Sequence, residues 1–276
     1  MEAKEVRRPW QLSDALWEKI APLIPPGKPH PLGCHHSRVP DRRAMEAILF
    51  VLRTGCQWNA LNATEICSSS SAHRRFQEWI AAGVFLEMGK QGLYEYDELK
   101  GIDWDWQAMD GAMTKAPLGG EKTGPNPTDR AKRGTKRSLL TDGGGIPLGV
   151  SVEGANRNDF RMARQTLESV PIPRPEPTPE NPQGLSLDKG YDYEEIRALV
   201  EEFGYTAHIR PRGEEAAAIK REVGYKARRW VVERAHSWMN RFRRILIRWE
   251  KKPENYLAML HLACALITFR AAGLPG

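Results

Sequence analysis

Three acids in this chain stand where carboxylate chemistry is possible: Asp110, Asp188 and Glu233. Asp110 closes the alternating, Trp-rich run WDWQAMD and precedes Gly111; Asp188 closes LSLD and precedes Lys189-Gly190. Both runs read as strands. In open α/β sheets, ligands bind beyond the carboxyl ends of strands. Two carboxylates on neighbouring strand ends repel each other unless a cation lies between them. An all-oxygen set of that kind suits Mg²⁺ or Mn²⁺ rather than zinc. Taken alone, each aspartate reads more simply as a turn or cap residue.

Glu233 lies in the basic run RRWVVERAHSWMNRFRRILIRW. On a helix, Arg229, Ser237, Asn240 and Arg244 fall within about 40° of it. Val231, Trp238, Met239, Phe242, Ile245 and Leu246 fall on the opposite side. The polar face is either ordinary and solvated, with Arg229–Glu233 as an i,i+4 pair, or a metal-ligand carboxylate among phosphate-binding cations. Periodicity does not separate the two.

Other candidates carry less. Cys34-His35-His36, with Cys56 and Cys67, lacks the paired spacing of a zinc site. Gly143-Gly144-Gly145 reads as a hairpin turn, because no Lys-Ser/Thr follows it on a helix. His236 either touches a ligand or packs, and Cys264 sits on an apolar helix.

The elements that must position the acids can be read from pattern. Ser13 caps a helix through Leu23 that Pro25-Pro26 stops. Asp41 opens a second helix that ends at Gly55. A third helix carries Ala72, Phe76, Trp79 and Ile80 and ends at Gly83. The second and third helices read as a helix-turn-helix-like unit or as a plain bundle. From Gly101 the character changes to strands. WDWQAMDG comes first, then a hairpin around Asp142–Gly145, then a helix opened by Asn158 or Asp159. After the Pro-rich connection at 171–183 come LSLDKG, a helix over Tyr193–Phe203, and TAHIRP. Two long helices, 227–249 and 253–269, close the chain. The order implies an α/β fold, a mixed sheet flanked by helices, after a small all-α N-terminal domain. The expected division is 1–92 and 101–276.

The chain has 276 residues and a net charge of +6. Mean hydropathy is −0.56. No run of about 18 apolar residues suggests a membrane span, and four Cys make no disulfide framework. These facts point to a reducing, cytoplasmic setting. Between Tyr205 and Lys252, 14 Lys/Arg stand against 5 Asp/Glu, a net of +9 that leaves −3 for the rest. A second basic cluster holds Arg130, Lys132, Arg133, Lys136 and Arg137. Concentrated charge of this kind is the footprint of a polyanion partner.

Longer motifs carry a resemblance over nearly the whole chain. They are LSDALWEKIAPLIPP, DRRAMEAILFVLRTGCQWNAL, HRRFQEWIAAGVF, MDGAMTKA, KRGTKRSLLTDGGGIPLGVSVEGANRND, LDKGYD and RRWVVERAHSWMNRFRRI. In this order they resemble bacterial insertion-sequence transposases of the insertion-sequence-5 family, a group of DDE transposases. The resemblance implies an RNase H-like catalytic domain. Its first Asp lies on the first strand, its second on the fourth and its Glu on a late helix: Asp110, Asp188 and Glu233. It implies double-stranded DNA as partner, both terminal inverted repeats and target DNA. It further implies two Mg²⁺ or Mn²⁺ ions and a homodimer on DNA in a bacterial, nucleoid-associated setting.

Around the Glu, the wider group's signature is met at Arg229. Asn240 stands in place of its Lys, followed by Arg241, and the Tyr slot falls on Lys226. Arg241 or Arg244 is then the expected phosphate contact. Arg229, Lys132, Arg133 and Lys136 join them on the backbone, and Arg42, Arg43, Arg74 and Arg75 of the N-terminal helices face the bases. The competing readings are a catalytically lapsed DNA-binding protein and a metal-dependent nuclease without strand transfer.

Overall fold

A computed structural model describes residues 8–27, 38–209 and 230–274. The N-terminal helices start and stop at the expected residues. In α1 (Asp14–Ile20), the Ser13 hydroxyl accepts from Leu16 N at 3.1 Å. Helix α2 (Asp41–Thr54) ends on Gly55, at φ 72°. Helix α3 (Ser69–Ala81) is capped by Ser68, whose hydroxyl accepts from Ser71 N at 3.3 Å.

The helix-turn-helix expectation needs correction in its connections. Residues 55–68 separate α2 from α3 and contain a 3₁₀ helix, Trp58–Ala63, so no three- or four-residue turn joins them. The tight glycine turn, Ala82-Gly83, instead joins α3 to a helix the pattern did not announce, α4 (Val84–Lys100). That helix crosses the span between the two expected domains.

Among the described residues the sheet has six strands: β1 (Trp106–Lys115), β2 (Gly124–Pro125), β3 (Arg133–Asp142), β4 (Pro147–Gly154), β5 (Gln183–Leu187) and β6 (Tyr205–Ile209). Leaving aside the two-residue β2, which pairs with the start of β3, the order is β4-β3-β1-β5-β6. β3 runs antiparallel to β1 and β4, while β5 runs parallel to β1 and β6. This is an RNase H-like mixed sheet flanked by helices. Between β4 and β5 lie a 3₁₀ turn (Asp159–Met162) and α5 (Ala163–Glu168), and between β5 and β6 lies α6 (Glu194–Glu202).

Strand alternation divides the core in two. Ala108, Leu139, Val150 and Val152 face one side, together with the N-terminal helices and the late ones. Met109, Leu140, Leu185 and Leu187 face the other, against α5 and α6. Each buried aliphatic side chain of this kind contributes about 1.5–3 kcal/mol. The first cluster runs without interruption from Leu12 through Met88 to Phe269, so one core serves both halves of the chain. Its axis is α9 (Pro253–Ala271), apolar almost all round, as a fully buried helix must be.

The helix expected over 227–249 is interrupted. In the described residues it is α7 (Trp230–Met239), followed by an extended Phe242 and a single turn, α8 (Arg243–Leu246). The end of β1 captures the chain here. Thr114 Oγ1 donates to the Leu246 carbonyl, Lys115 bridges to Ile247, and Arg248 N donates to Lys115 O at 2.8 Å. Residues beyond 240 therefore leave the helical face that Glu233 occupies.

Candidate active site

The register of β1 and β5 places the two aspartates. Trp106 pairs with Gly184, Gln107 with Leu185 and Ala108 with Ser186, an offset of 78 residues. Asp110 and Asp188 are also 78 residues apart. Carried two residues past the last paired rung, the same offset sets them level on adjacent parallel strands. Alternation turns both toward the face of Ala108, which is the face that α7 covers. Asp110 does not close its strand as expected but lies within β1, which pairs with β3 as far as Lys115, while Asp188 follows the end of β5. Gly111 N donates to Asp110 Oδ1 at 2.8 Å, and Gly190 N to Asp188 Oδ1 at 3.4 Å.

Glu233 lies in the first turn of α7 and is exposed. The opposite face of that helix buries Val231, Val232, Ala235, His236 and Met239 against the sheet. One turn on from Glu233, His236 Nε2 lies 3.3 Å from the Asp110 carbonyl oxygen. Burial, together with the Arg137 charge, pushes the His236 pKa down to about 3, so the ring is neutral.

One further carboxylate, Asp159, lies against β1 next to Asp110. Lys136 Nζ pairs with Asp159 Oδ2 at 3.1 Å. Asp159 Oδ1 approaches Gly111 so closely that a Cβ there would meet it at 2.0 Å. Beside them the buried Tyr191 hydroxyl has its pKa raised well above its usual value, first by burial and then by the charges of Asp159, Asp110 and Asp188. Asp159 and Tyr191 were not legible as site residues: the first reads as a cap, the second as core.

The paired aspartates supply only oxygen donors, which fits a hard divalent cation. Among the described residues, no three of His, Cys, Asp and Glu are grouped closely enough to hold one ion. Glu233 is therefore not grouped with the two aspartates closely enough for all three to share one ion. Cys34, His35 and His36 lie outside the described residues.

The expected DNA contacts divide by burial. Arg74, Lys132, Arg133 and Arg241 are exposed. Arg42 pairs with Asp14 at 2.6 Å, and Arg43 donates to Ile66 O at 3.0 Å. Three expected contacts, Arg244, Lys136 and Arg75, are buried, each on a partner of its own. Arg244 pairs with Glu250 at 2.7 Å and donates to Cys56 O at 2.9 Å. Lys136 is held by Asp159, and Arg75 is paired with Asp41. Arg229 lies outside the described residues.

A surface that pattern did not reveal lies beyond the end of α7. Arg53, Arg241 and Arg270, with Trp238, Phe242 and Ile267, line a cavity of about 340 Å³. Along α7, Arg234 lies between two indole rings, 4.5 Å from Trp230 and 4.8 Å from Trp238.

The chain matches known proteins along most of its length. Residues 12–88 match the family described as putative transposase of the IS4/5 family, and residues 99–268 match the one described as transposase DDE domain. A putative transposase for insertion sequence element IS402 of Burkholderia cepacia is 38% identical over 156 residues, covering 54% of this chain and 69% of the relative. An uncharacterized 16.2 kDa protein of the same element is 36% identical over 119 residues, covering 42% of this chain and 80% of the relative. Solved structures match as well, two of them as follows. A pre-cleavage Mos1 transpososome is 10% identical with a TM-score of 0.27, covering 80% of this chain and 81% of that one. A Mos1 mariner paired-end complex with Mn is 12% identical with a TM-score of 0.29, covering 88% and 82%. Scores that low do not bear on fold or function here.

Proposed function

The chain belongs to the family of transposases that carry a DDE domain, and on that footing we propose that Asp110, Asp188 and Glu233 are its catalytic acids. As a transposase it acts on DNA. The observation that supports the acid assignment is the shared offset of 78: the register that pairs Ala108 with Ser186 would, carried two residues on, bring Asp110 and Asp188 level on neighbouring strands.

Asp110 and Asp188 would hold divalent metal, Mg²⁺ or Mn²⁺, with Glu233 closing the set from above. Two such ions, when bound, supply an activated water or 3′-hydroxyl and a stabilised leaving oxygen. The protein's own groups do the rest. The strand register holds the aspartates together against their repulsion. Arg241, Lys132 and Arg133 hold phosphates nearby, and the neutral His236 packs beneath without adding charge. No covalent protein–DNA bond is needed, so no Ser or Tyr nucleophile is assigned.

Residues 1–92 would read the terminal inverted repeats, with Arg43 and Arg74 the exposed candidates. Residues 101–276 would cut the ends and join them to target DNA. Separate family matches over 12–88 and 99–268 support this division of tasks. Two copies would pair two ends as a homodimer on DNA, in association with the nucleoid. Among the described residues, no helix is long and apolar enough to cross a membrane.

The test is cleavage and joining of duplexes carrying the terminal repeats in Mg²⁺. The wild-type chain should release ends and join them. Glu233→Gln should abolish cleavage while DNA binding persists, because it removes a charge on an exposed face. Full cleavage by that variant would refute the assignment. Cleavage without joining would favour a nuclease, and binding alone a lapsed DNA-binding protein.

A further inference from the structure

Helix α7 is fastened to the sheet by one polar chain running through its apolar contacts. Arg137 on β3 is buried, 3% exposed, and pairs across the ladder with Ala112, two residues beyond Asp110 on the same face. Its Nε donates to His236 Nδ1 at 3.4 Å, and its Nη2 donates to Asn240 Oδ1 at 2.6 Å. Because Nδ1 accepts, the imidazole proton must lie on Nε2. That N–H faces the Asp110 carbonyl oxygen at 3.3 Å and donates to it. The chain thus runs from the guanidinium through the imidazole to the backbone of the first aspartate.

Two features set this apart from ordinary packing. Arg137 has no carboxylate partner among the described residues, and its Nη1 is buried without a hydrogen bond. Burying a guanidinium on such terms is unfavourable, so the side chain is not explained by stability. The contacts also lie at two heights, His236 on α7 and Asn240 just past its end, which fixes both the position and the rotation of the helix. The apolar contacts of Val231, Val232, Ala235 and Met239 lack that directionality, whereas hydrogen bonds weaken steeply with misalignment.

We propose that His236 is a positioning residue: the Arg137–His236–Asp110 clamp sets the spacing between the Glu233 carboxylate, one turn earlier on α7, and the aspartate pair. The inference rests on the reading of these acids as metal ligands. Outer-shell partners of metal ligands commonly carry 10- to 100-fold in affinity.

The test uses the full chain and Mn²⁺ alone, with affinity read by electron paramagnetic resonance and folding by thermal melting. His236→Phe keeps the ring and removes both nitrogens. His236→Gln keeps an acceptor for Arg137 and places an amide N–H near the position of Nε2. The Phe variant should lose about tenfold or more in Mn²⁺ affinity, while the Gln variant recovers most of it. If the Phe variant does not melt cooperatively, His236→Asn takes its place. Its shorter amide reaches Arg137 but not Asp110, and the same loss is expected. Wild-type affinity in the Phe or Asn variant, or no recovery with Gln in a chain that melts like wild type, overturns the clamp. Mn²⁺ binding that is unchanged by Asp110→Asn overturns the metal reading itself, and the clamp with it.

Discussion

Asp142, at the end of β3, is wholly buried, and its carboxylate accepts from Ile146 N at 2.7 Å and Asp103 N at 3.3 Å. Burial, with a smaller contribution from the Asp103 charge, raises its pKa to about 6. The folded state therefore holds the proton more tightly than the unfolded chain, so the stability this group contributes falls as pH rises from about 4 to about 6. At about 1.4 kcal/mol per pKa unit, the loss is on the order of 2–3 kcal/mol. Asp142→Asn should remove that slope, which urea unfolding at pH 4.5 and pH 7 would measure. An unchanged difference between the two pH values would show that Asp142 is not its source. At this scale the sequence showed types but not partners. Asp110, Asp188 and Glu233 stood out, whereas nothing in the string distinguished Arg241, which faces solvent, from Arg244, which faces Glu250.

Elements were legible where local chemistry decides them. Ser13 and Ser68 cap, Gly55 stops a helix, and the Asp142–Gly145 turn makes a hairpin because Gly145 supplies φ 82°. They were illegible where tertiary contacts decide. Helix α4 shows a weak pattern, since Gly89 and Gly92 interrupt it, and it is held by lying along α9. The break after Met239 has no Pro or Gly to announce it. It exists because the end of β1 captures Leu246, Ile247 and Arg248. Gly89 offers a direct check on α4. A Cβ there would meet nothing within 4 Å, so the glycine costs helix propensity without a packing gain. Gly89→Ala should stabilise the protein by roughly 0.5–1 kcal/mol, read as a higher denaturation midpoint. A lower midpoint would mean that residue 89 is not in an open helical position.

At the scale of the whole molecule, net charge is a poor guide until each cation is located. The basic segment from Tyr205 to Lys252 contains Arg244 and Arg248, both internal, and Arg241, which joins Arg53 and Arg270 around one cavity. Only the second kind can release counterions from DNA. Arg241→Ala and Arg270→Ala should each lower the slope of log affinity against log salt by about 0.9 and leave melting nearly unchanged. Arg244→Met should do the opposite. It strands Glu250 in the interior at a cost of about 3–5 kcal/mol with little change in slope, and a slope change like that of Arg241→Ala would mean the ion pair opens on DNA. The strand order, β4-β3-β1-β5-β6, was not legible, since periodicity yields strands but not their order; family likeness pointed only to an RNase H-like mixed sheet.

If Asp110 and Asp188 hold metal as proposed, they act as one unit, because one register offset relates them. Mn²⁺ binding to the wild-type chain, to Asp110→Asn, to Asp188→Asn and to the double variant tests it most directly. The expected result is that either single change removes the tight site and the double change removes nothing further. Wild-type affinity in either single variant, or losses that add in the double, would contradict it.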